Sequence, residues 1–261
     1  MKVVILAGGY GTRISEESYL RPKPMIEIGG KPILWHIMKH YSHYGHNDFI
    51  ICAGYKQHMI KEWFADYFLH NSDVTFNFKN GKDEIRILNQ HCDPWEVTVV
   101  DTGLNTQTSG RIRRIQKYVG DETFMLTYGD GVSDVNLDDL CAFHEKMHKA
   151  ATITSVMIEQ NKGVLDVQGG LVQSFREKNN IDNARINGGF MVLDTKVFDY
   201  LGDDTTPFER APMDSLAADG ELAAYRHDGF WQCMDTKREM ERLEQLWETG
   251  NAPWKTWRTE L

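Results

Sequence analysis

The densest chemistry in the sequence lies in residues 6–13. Leu6-Ala7-Gly8-Gly9-Tyr10-Gly11-Thr12-Arg13 places three glycines in four positions, directly after an apolar run. Glycine tolerates positive φ and lets a ligand approach the main chain, and successive N–H groups in such a turn form an anion-binding concavity. Arg13 adds a guanidinium fork suited to phosphate oxygens. A turn that only joined a strand to a helix would need fewer glycines and no arginine. Two other glycine motifs fail. G-x-G-x-x-G begun at Gly9 and Gly11 meets Ile14 where its third glycine belongs, and Gly30-Lys31 is followed by Pro32 instead of Ser or Thr. Further along, Lys23 stands between Pro22 and Pro24, which hold the backbone extended and limit the entropy lost in aiming its ammonium group. Asp130 lies between Gly129 and Gly131, which let its carboxylate face a crevice. Asp235 comes just before an expected helix, a place where an aspartate also serves as a cap.

These side chains need elements to position them. Lys2 to Ala7 reads as a fully buried strand closed by glycines. Lys31 to Tyr44 reads as an amphipathic helix, with Pro32 in its first turn and Gly45 after its end. Strands over Asp48–Ala53, Val97–Asp101 and Phe124–Tyr128 alternate with helices over Lys56–Leu69 and Arg111–Val119. Such alternation implies parallel βαβ units and a doubly wound sheet, whose ligands sit beyond the carboxyl ends of the strands. The segments after Ala7, Ala53, Asp101 and Tyr128 should then form one crevice. The second half is less regular. Strands are expected near Ile153–Ile158, Leu171–Phe175 and Gly189–Leu193, with helices near Pro212–Asp219 and Thr236–Glu248, continuing the same domain over the crevice.

Composition bounds the function. With 261 residues, 41% of them hydrophobic and 26% charged, the chain is globular and long enough for one large core. Its 29 Lys+Arg against 38 Asp+Glu leave a net charge of −9, which argues against a nucleic-acid partner. Cys52, Cys92, Cys141 and Cys233 lie far apart with no C-x-x-C pair, so a structural zinc site is not expected and free thiols in a reducing compartment are. The run Val3–Ala7 is too short for a signal peptide or a membrane span, which points to the cytoplasm and to no membrane partner.

The loop L-A-G-G-x-G-T-R, together with Arg21-Pro22-Lys23-Pro24-Met25, resembles the signature of the sugar-phosphate nucleotidyltransferases. Further segments resemble the glucose-1-phosphate cytidylyltransferases within that family: Ile28–Lys39, Tyr67–Phe76, Val100–Gly103, Tyr128–Gly131, Ile186–Phe190, Met234–Thr236 and Ala252–Trp257. They run in order along almost the whole chain. The resemblance implies an α/β fold with a doubly wound, mainly parallel, Rossmann-like sheet and a smaller β-rich acceptor-side and C-terminal subregion. It implies a single nucleotidyltransferase domain over residues 1–261, with a nucleotide half over about 1–135 and a sugar-phosphate and oligomerisation half over about 136–261.

The implied reaction joins CTP to glucose 1-phosphate, giving CDP-glucose and pyrophosphate for the CDP-dideoxysugars of lipopolysaccharide. The attacking phosphate, with a second pKa of about 6, is already anionic near neutrality and needs no general base. Its approach to a triphosphate is opposed by repulsion, so catalysis is in-line positioning and charge neutralisation. By the resemblance, Arg13, Lys23 and Asp130 are catalytic, and Asp130 and Asp235 hold Mg²⁺. The nucleotide falls to Leu6, Ala7, Gly8, Gly9, Gly11, Thr12 and Gly129 with Arg13 and Lys23. Gly103, Asn105, Gly110 and Arg111 complete that set, Arg111 being expected to open its helix as an anion ligand or a solvated side chain. Glu177, Lys178, Asn187 and Gly188 are the sugar-phosphate residues. Here the chain departs from its relatives. It reads Glu177-Lys178-Asn179 where E-K-P is usual, lacks an R-F-G element within Ile158–Asp166, and carries Phe208 and Ala211 where W-E-x-E-P-L is expected. These departures bear on the acceptor, so a cytidylyltransferase for another phosphorylated acceptor is the nearest rival; a silent nucleotide-sugar sensor and an NAD-dependent oxidoreductase are remoter ones. The resemblance also implies a homo-oligomer, with a hexamer as one arrangement. His36, His40 and His43 are expected to pack or to meet a neighbouring subunit, and Trp247, Trp254 and Trp257 to anchor the C-terminal segment.

Overall fold

A strand with nothing but apolar side chains, as in Val3–Ala7, can only be stable with both faces covered, and the sheet is built around it. The computed structural model describes residues 1–79, 84–90, 92–157, 164–168, 171–176 and 185–258, with the backbone alone at 13, 15, 16, 90, 164–168 and 171–176. In chain order the strands are β1 (Val3–Ala7), β2 (Glu27–Ile28), β3 (Lys31–Pro32), β4 (Asp48–Ala53), β5 (Ser72–Asn77), β6 (Glu84–Gln90), β7 (Glu96–Asp101) and β8 (Phe124–Tyr128). They continue as β9 (Gly131–Ser133), β10 (Ala151–Met157), β11 (Val164–Gln168), β12 (Leu171–Arg176), β13 (Arg185–Leu193), β14 (Leu222–Arg226) and β15 (Trp231–Cys233). The helices are α1 (Ser15–Ser18), α2 (Ile33–His43), α3 (Gln57–Ala65), α4 (Tyr67–His70), α5 (Thr108–Arg114), α6 (Gln116–Val119), α7 (Leu137–Met147), α8 (Ala211–Ala218) and α9 (Lys237–Glu248).

Among the described residues the main sheet has seven strands in the order β14-β10-β13-β8-β1-β4-β7. β1 pairs in parallel with β4 and β8, β4 with β7, and β10 with β14, while β13 runs antiparallel to both β8 and β10. The sheet is therefore mainly parallel with one reversed strand. Side chains alternate across it. Val3, Ile5 and Ala7 face α2, whose Ile33, Leu34, Ile37, Met38 and Tyr41 are buried against them; Val4 and Leu6 face Ile112, Ile115 and Val119 on the other side.

β4 and β8 span the expected residues, and α2 is shorter by two residues at its start and one at its end, with Gly45 following at φ +82°. The helix expected over Lys56–Leu69 is instead α3 and α4, broken at Asp66 (φ −100°, ψ 1°). The helix expected from Arg111 starts at Thr108. α7 and the β5–β6 hairpin stand where no element was expected. The second half supplies β10, β13 and β14 to the main sheet itself. At the end of the chain Trp254 is fully buried, with Trp247 and Trp257 packed against the same core cluster. His36 Nδ1 accepts from Trp254 Nε1 at 3.4 Å and His40 Nδ1 meets Thr256 Oγ1 at 3.0 Å, so both histidines pack the C-terminal segment onto α2. Cys52 is buried and the other three cysteines, also free, are partly exposed. Among the described residues no helix is long and apolar enough to cross a membrane.

Candidate active site

The chain leaves β1 at Ala7 and turns at once, with Gly11 at φ +66° and its carbonyl accepting from the Ile14 N–H at 3.1 Å. Gly8 is a glycine for a reason the sequence did not show. A Cβ there would lie 2.0 Å from Arg111 Nη1. Arg111 is buried in the second turn of α5, away from the helix opening where it was expected, and its guanidinium is committed to the protein. Nη2 donates to Gly8 O at 3.0 Å and Leu104 O at 3.4 Å; Nη1 donates to Thr102 Oγ1 at 2.8 Å and Ala53 O at 3.3 Å. Burial lowers its pKa, but a guanidinium remains charged. It clamps together the segments that follow β1, β4 and β7. Tyr10 OH donates to Asn105 Oδ1 at 2.7 Å, a second tie across the same crevice. Gly103 (φ +90°) turns the loop after β7, its N–H donating to Asp101 Oδ1 at 2.9 Å.

Lys23 opens a short 3-10 turn after Pro22, whose backbone is extended (φ −65°, ψ 146°) as the flanking prolines predict. Its Nζ lies 2.5 Å from Asp130 Oδ2 and 2.5 Å from Asp235 Oδ1. Burial alone would lower the lysine pKa; the two carboxylates outweigh it and hold the pKa above the ordinary value. The aspartates are brought together by the antiparallel β9–β15 pair, in which Gly131 faces Cys233, and by the Met234 N–H donating to Asp130 O at 2.8 Å. The cap of α9 is Thr236, which forms a reciprocal capping box with Glu239. Asp235 is thus not the cap, and its carboxylate is turned to Lys23.

These residues line a cavity of about 530 Å³. Of the expected nucleotide and catalytic positions, Leu6, Ala7, Gly8, Gly9, Gly11, Thr12, Lys23, Asn105, Arg111, Gly129, Asp130 and Asp235 form its wall. Gly103 and Gly110 do not. A Cβ at Gly110 would lie 2.5 Å from Asp204 Oδ1, so this glycine serves packing of α5 on the segment before α8. Gly54, just after β4, lies under Arg111 and not on the wall. Asn187 and Gly188 stand behind Tyr128. Asn187 Nδ2 donates to Tyr128 OH at 3.4 Å, its Oδ1 accepts from the Gly189 N–H at 2.9 Å, and Gly188 O accepts from Trp231 Nε1 at 2.6 Å. The Arg13 side chain, Glu177 and Lys178 lie outside the described residues, as do residues 158–163, where the R-F-G element is missing. Tyr10, Pro24, Leu104, Thr106, Gln107, Thr108 and Tyr128 also line the cavity without having been singled out. The signal for most was their nearness to Gly8, Lys23 or Asn105 in sequence.

Among the described residues no cluster of three His, Cys, Asp or Glu side chains is set to hold a metal ion. Asp130 and Asp235 nevertheless share one cation, the Lys23 ammonium. Two oxygen-donor carboxylates facing a cleft suit a hard ion such as Mg²⁺, which keeps several waters and takes substrate phosphate oxygens. The donor set fits such an ion.

A family model described as nucleotidyl transferase matches residues 2–232. A glucose-1-phosphate cytidylyltransferase of Salmonella typhi is 54% identical, the match covering 98% of this chain and 100% of that protein. One from Salmonella typhimurium agrees to the same extent. Among solved structures, HddC from Yersinia pseudotuberculosis shares the fold, with a TM-score of 0.65 at 22% identity over 94% of this chain and 99% of its own.

Proposed function

The chain belongs to the nucleotidyl transferase family, and from that premise we propose that it transfers CMP from CTP to α-D-glucose 1-phosphate, giving CDP-glucose and pyrophosphate. The observation that carries this reading is the end-to-end identity of 54% to curated glucose-1-phosphate cytidylyltransferases. The cavity geometry supports it.

The loop after β1 offers main-chain N–H groups to the triphosphate. Gly103 and Asn105 shape the base side, and main-chain donors and acceptors suit a pyrimidine edge. Arg111 contributes a fixed positive charge beneath that loop and keeps the three crevice segments in register. Lys23 carries the ammonium that neutralises phosphate charge as the acceptor dianion approaches in line. Asp130 and Asp235 would hold a Mg²⁺ ion, which when bound would supply further charge neutralisation to the phosphates. Arg13, by the family resemblance, is assigned to the same phosphates; Glu177 and Lys178 with Asn187 and Gly188 are assigned to the sugar phosphate. No residue needs to remove a proton from the attacking phosphate, because it is already ionised.

CDP-glucose made in this way would enter CDP-dideoxysugar synthesis for lipopolysaccharide, with the protein acting in the cytoplasm as a homo-oligomer. Incubation with CTP, Mg²⁺ and a panel of sugar 1-phosphates, with pyrophosphate release as the readout, tests the assignment. Turnover with glucose 1-phosphate is expected. Turnover with another acceptor alone would favour the second reading, which rests on the altered residues Asn179, Phe208 and Ala211. Binding of CTP without turnover on any acceptor would refute both.

A further inference from the structure

Glu209 lies in the turn before α8, held there by Phe208, which is fully buried. Its carboxylate spans two cavity-lining residues on different elements. Oε1 accepts from Tyr128 OH at 2.6 Å, at the end of β8, and Oε2 accepts from Thr108 Oγ1 at 2.7 Å, at the start of α5. Each hydroxyl already accepts a hydrogen bond elsewhere: Thr108 Oγ1 from the Phe208 N–H at 2.7 Å, Tyr128 OH from Asn187 Nδ2 at 3.4 Å. Each therefore has a single proton left to give, and the partner must supply two acceptor atoms. A carboxylate does; a carboxamide supplies one.

We propose that Glu209 is a positioning residue that locks the nucleotide-side wall of the cavity to its acceptor-side wall, deepening the cytidylyl-transfer reading on which it rests. Thr108 belongs to the helix that carries Arg111, so one carboxylate oxygen fixes the frame of the base loop. Tyr128 immediately precedes Gly129 and Asp130 and supports Asn187, so the other oxygen fixes the residues assigned to metal and acceptor. In-line transfer depends on the relative placement of these walls more than on either affinity. Misplacement of reacting groups by about 1 Å costs up to about 100-fold in rate.

The test is steady-state kinetics with CTP and glucose 1-phosphate on the full chain carrying Glu209→Gln, Tyr128→Phe and the pair together. Glu209→Gln should lower kcat about tenfold with both KM values within about threefold, the signature of lost alignment and not of lost binding. In the Tyr128→Phe background the same change should cost less than about twofold, because the shared hydrogen bond is already gone. Thermal unfolding of each variant keeps folding apart from alignment. Should Glu209→Gln unfold early, Thr108→Val, which removes the other donor together with the acceptor of the Phe208 N–H, must stay folded and show the kcat loss with both KM values held for the proposal to stand. An unchanged kcat in Glu209→Gln, a loss carried by KM alone, or fully additive effects with Tyr128→Phe overturns it. Failure of the unaltered protein to turn over glucose 1-phosphate would instead strike the reading beneath.

Discussion

Replacing Lys23 with methionine removes the ammonium shared by Asp130 and Asp235 and keeps most of the side-chain volume. Two oxygens each 2.5 Å from one nitrogen stand no more than about 5 Å apart. At an effective dielectric of about 20, unit charges at that separation repel by roughly 3 kcal/mol. The aspartate side chains are 30% and 27% exposed, and solvent screening trims this to about 1–3 kcal/mol. That free energy is available to a divalent ion. In the unaltered protein such an ion must displace an ammonium already paired with both carboxylates; in the variant it meets an uncompensated pair. Mn²⁺ should therefore bind the nucleotide-free variant about 10- to 100-fold more tightly, since each 1.4 kcal/mol is a decade. Turnover should fall by at least about 100-fold, because the ammonium proposed to neutralise phosphate charge is gone. Titration calorimetry with Mn²⁺, with and without CTP, reads the first effect and pyrophosphate release the second. Asp130→Asn in the Lys23→Met background should abolish the gain in affinity. Equal or weaker Mn²⁺ binding in Lys23→Met would refute the electrostatic reasoning, and retained turnover would remove Lys23 from the reaction.

Arg111→Met removes four buried hydrogen bonds; Gly8 O keeps the Tyr55 N–H and Ala53 O keeps Thr102, while Leu104 O and Thr102 Oγ1 lose the guanidinium, so urea unfolding should show a loss of about 2–4 kcal/mol and the KM for CTP should rise. Gly103→Ala requires a side chain at φ +90° with its Cβ 2.5 Å from Thr106 Oγ1; the KM for CTP should rise about tenfold with the KM for the sugar phosphate little changed. Burial lowers His36 and His40 to about 4, below their unfolded value, so their contribution is complete above about pH 7 and is lost as pH falls through 6.5 toward 4. At pH 5 that loss is about 2 kcal/mol per histidine, and urea midpoints that agree between pH 7.5 and 5 would contradict it.

The parallel core was legible because a strand buried on both faces is written as an unbroken apolar run. Val3–Ala7, Phe49–Ala53 and Phe124–Leu126 are such runs, with a glycine close behind each. α7 escaped because it buries only Leu137, Leu140 and His144; its signal was local, Asn136 accepting from the Asp139 N–H at 3.1 Å ahead of two acidic first-turn residues. Among the described residues the β5–β6 strands pair only with one another, and they leave Phe76 and Ile85 exposed, so they carry no burial pattern to read. In the site, Lys23, Asp130 and Asp235 each stood out by neighbouring residues, yet their meeting depends on β9 pairing with β15, which no local pattern specifies. Tyr128 and Glu209 are 81 residues apart, and neither has a context that announces the other.

The two described cations of the cavity wall also divide the work by how each is held. Arg111 spends its guanidinium on main-chain carbonyls and one hydroxyl, neutral acceptors that a substrate cannot replace without undoing the crevice. Its charge is therefore fixed in place and costs nothing to reorient when phosphate arrives. Lys23 is held by two carboxylates, anions whose attraction another cation can take over. A planar fork suits the first role and a compact ammonium on a flexible stem the second. Lysine at position 111, with three donors, would lose at least one of the four contacts, and arginine at 23 would be slower to leave a pair of carboxylates it can grip with both arms. On the proposed function, the residue types at 23 and 111 thus follow from a division between a charge that must stay and a charge that must change partners.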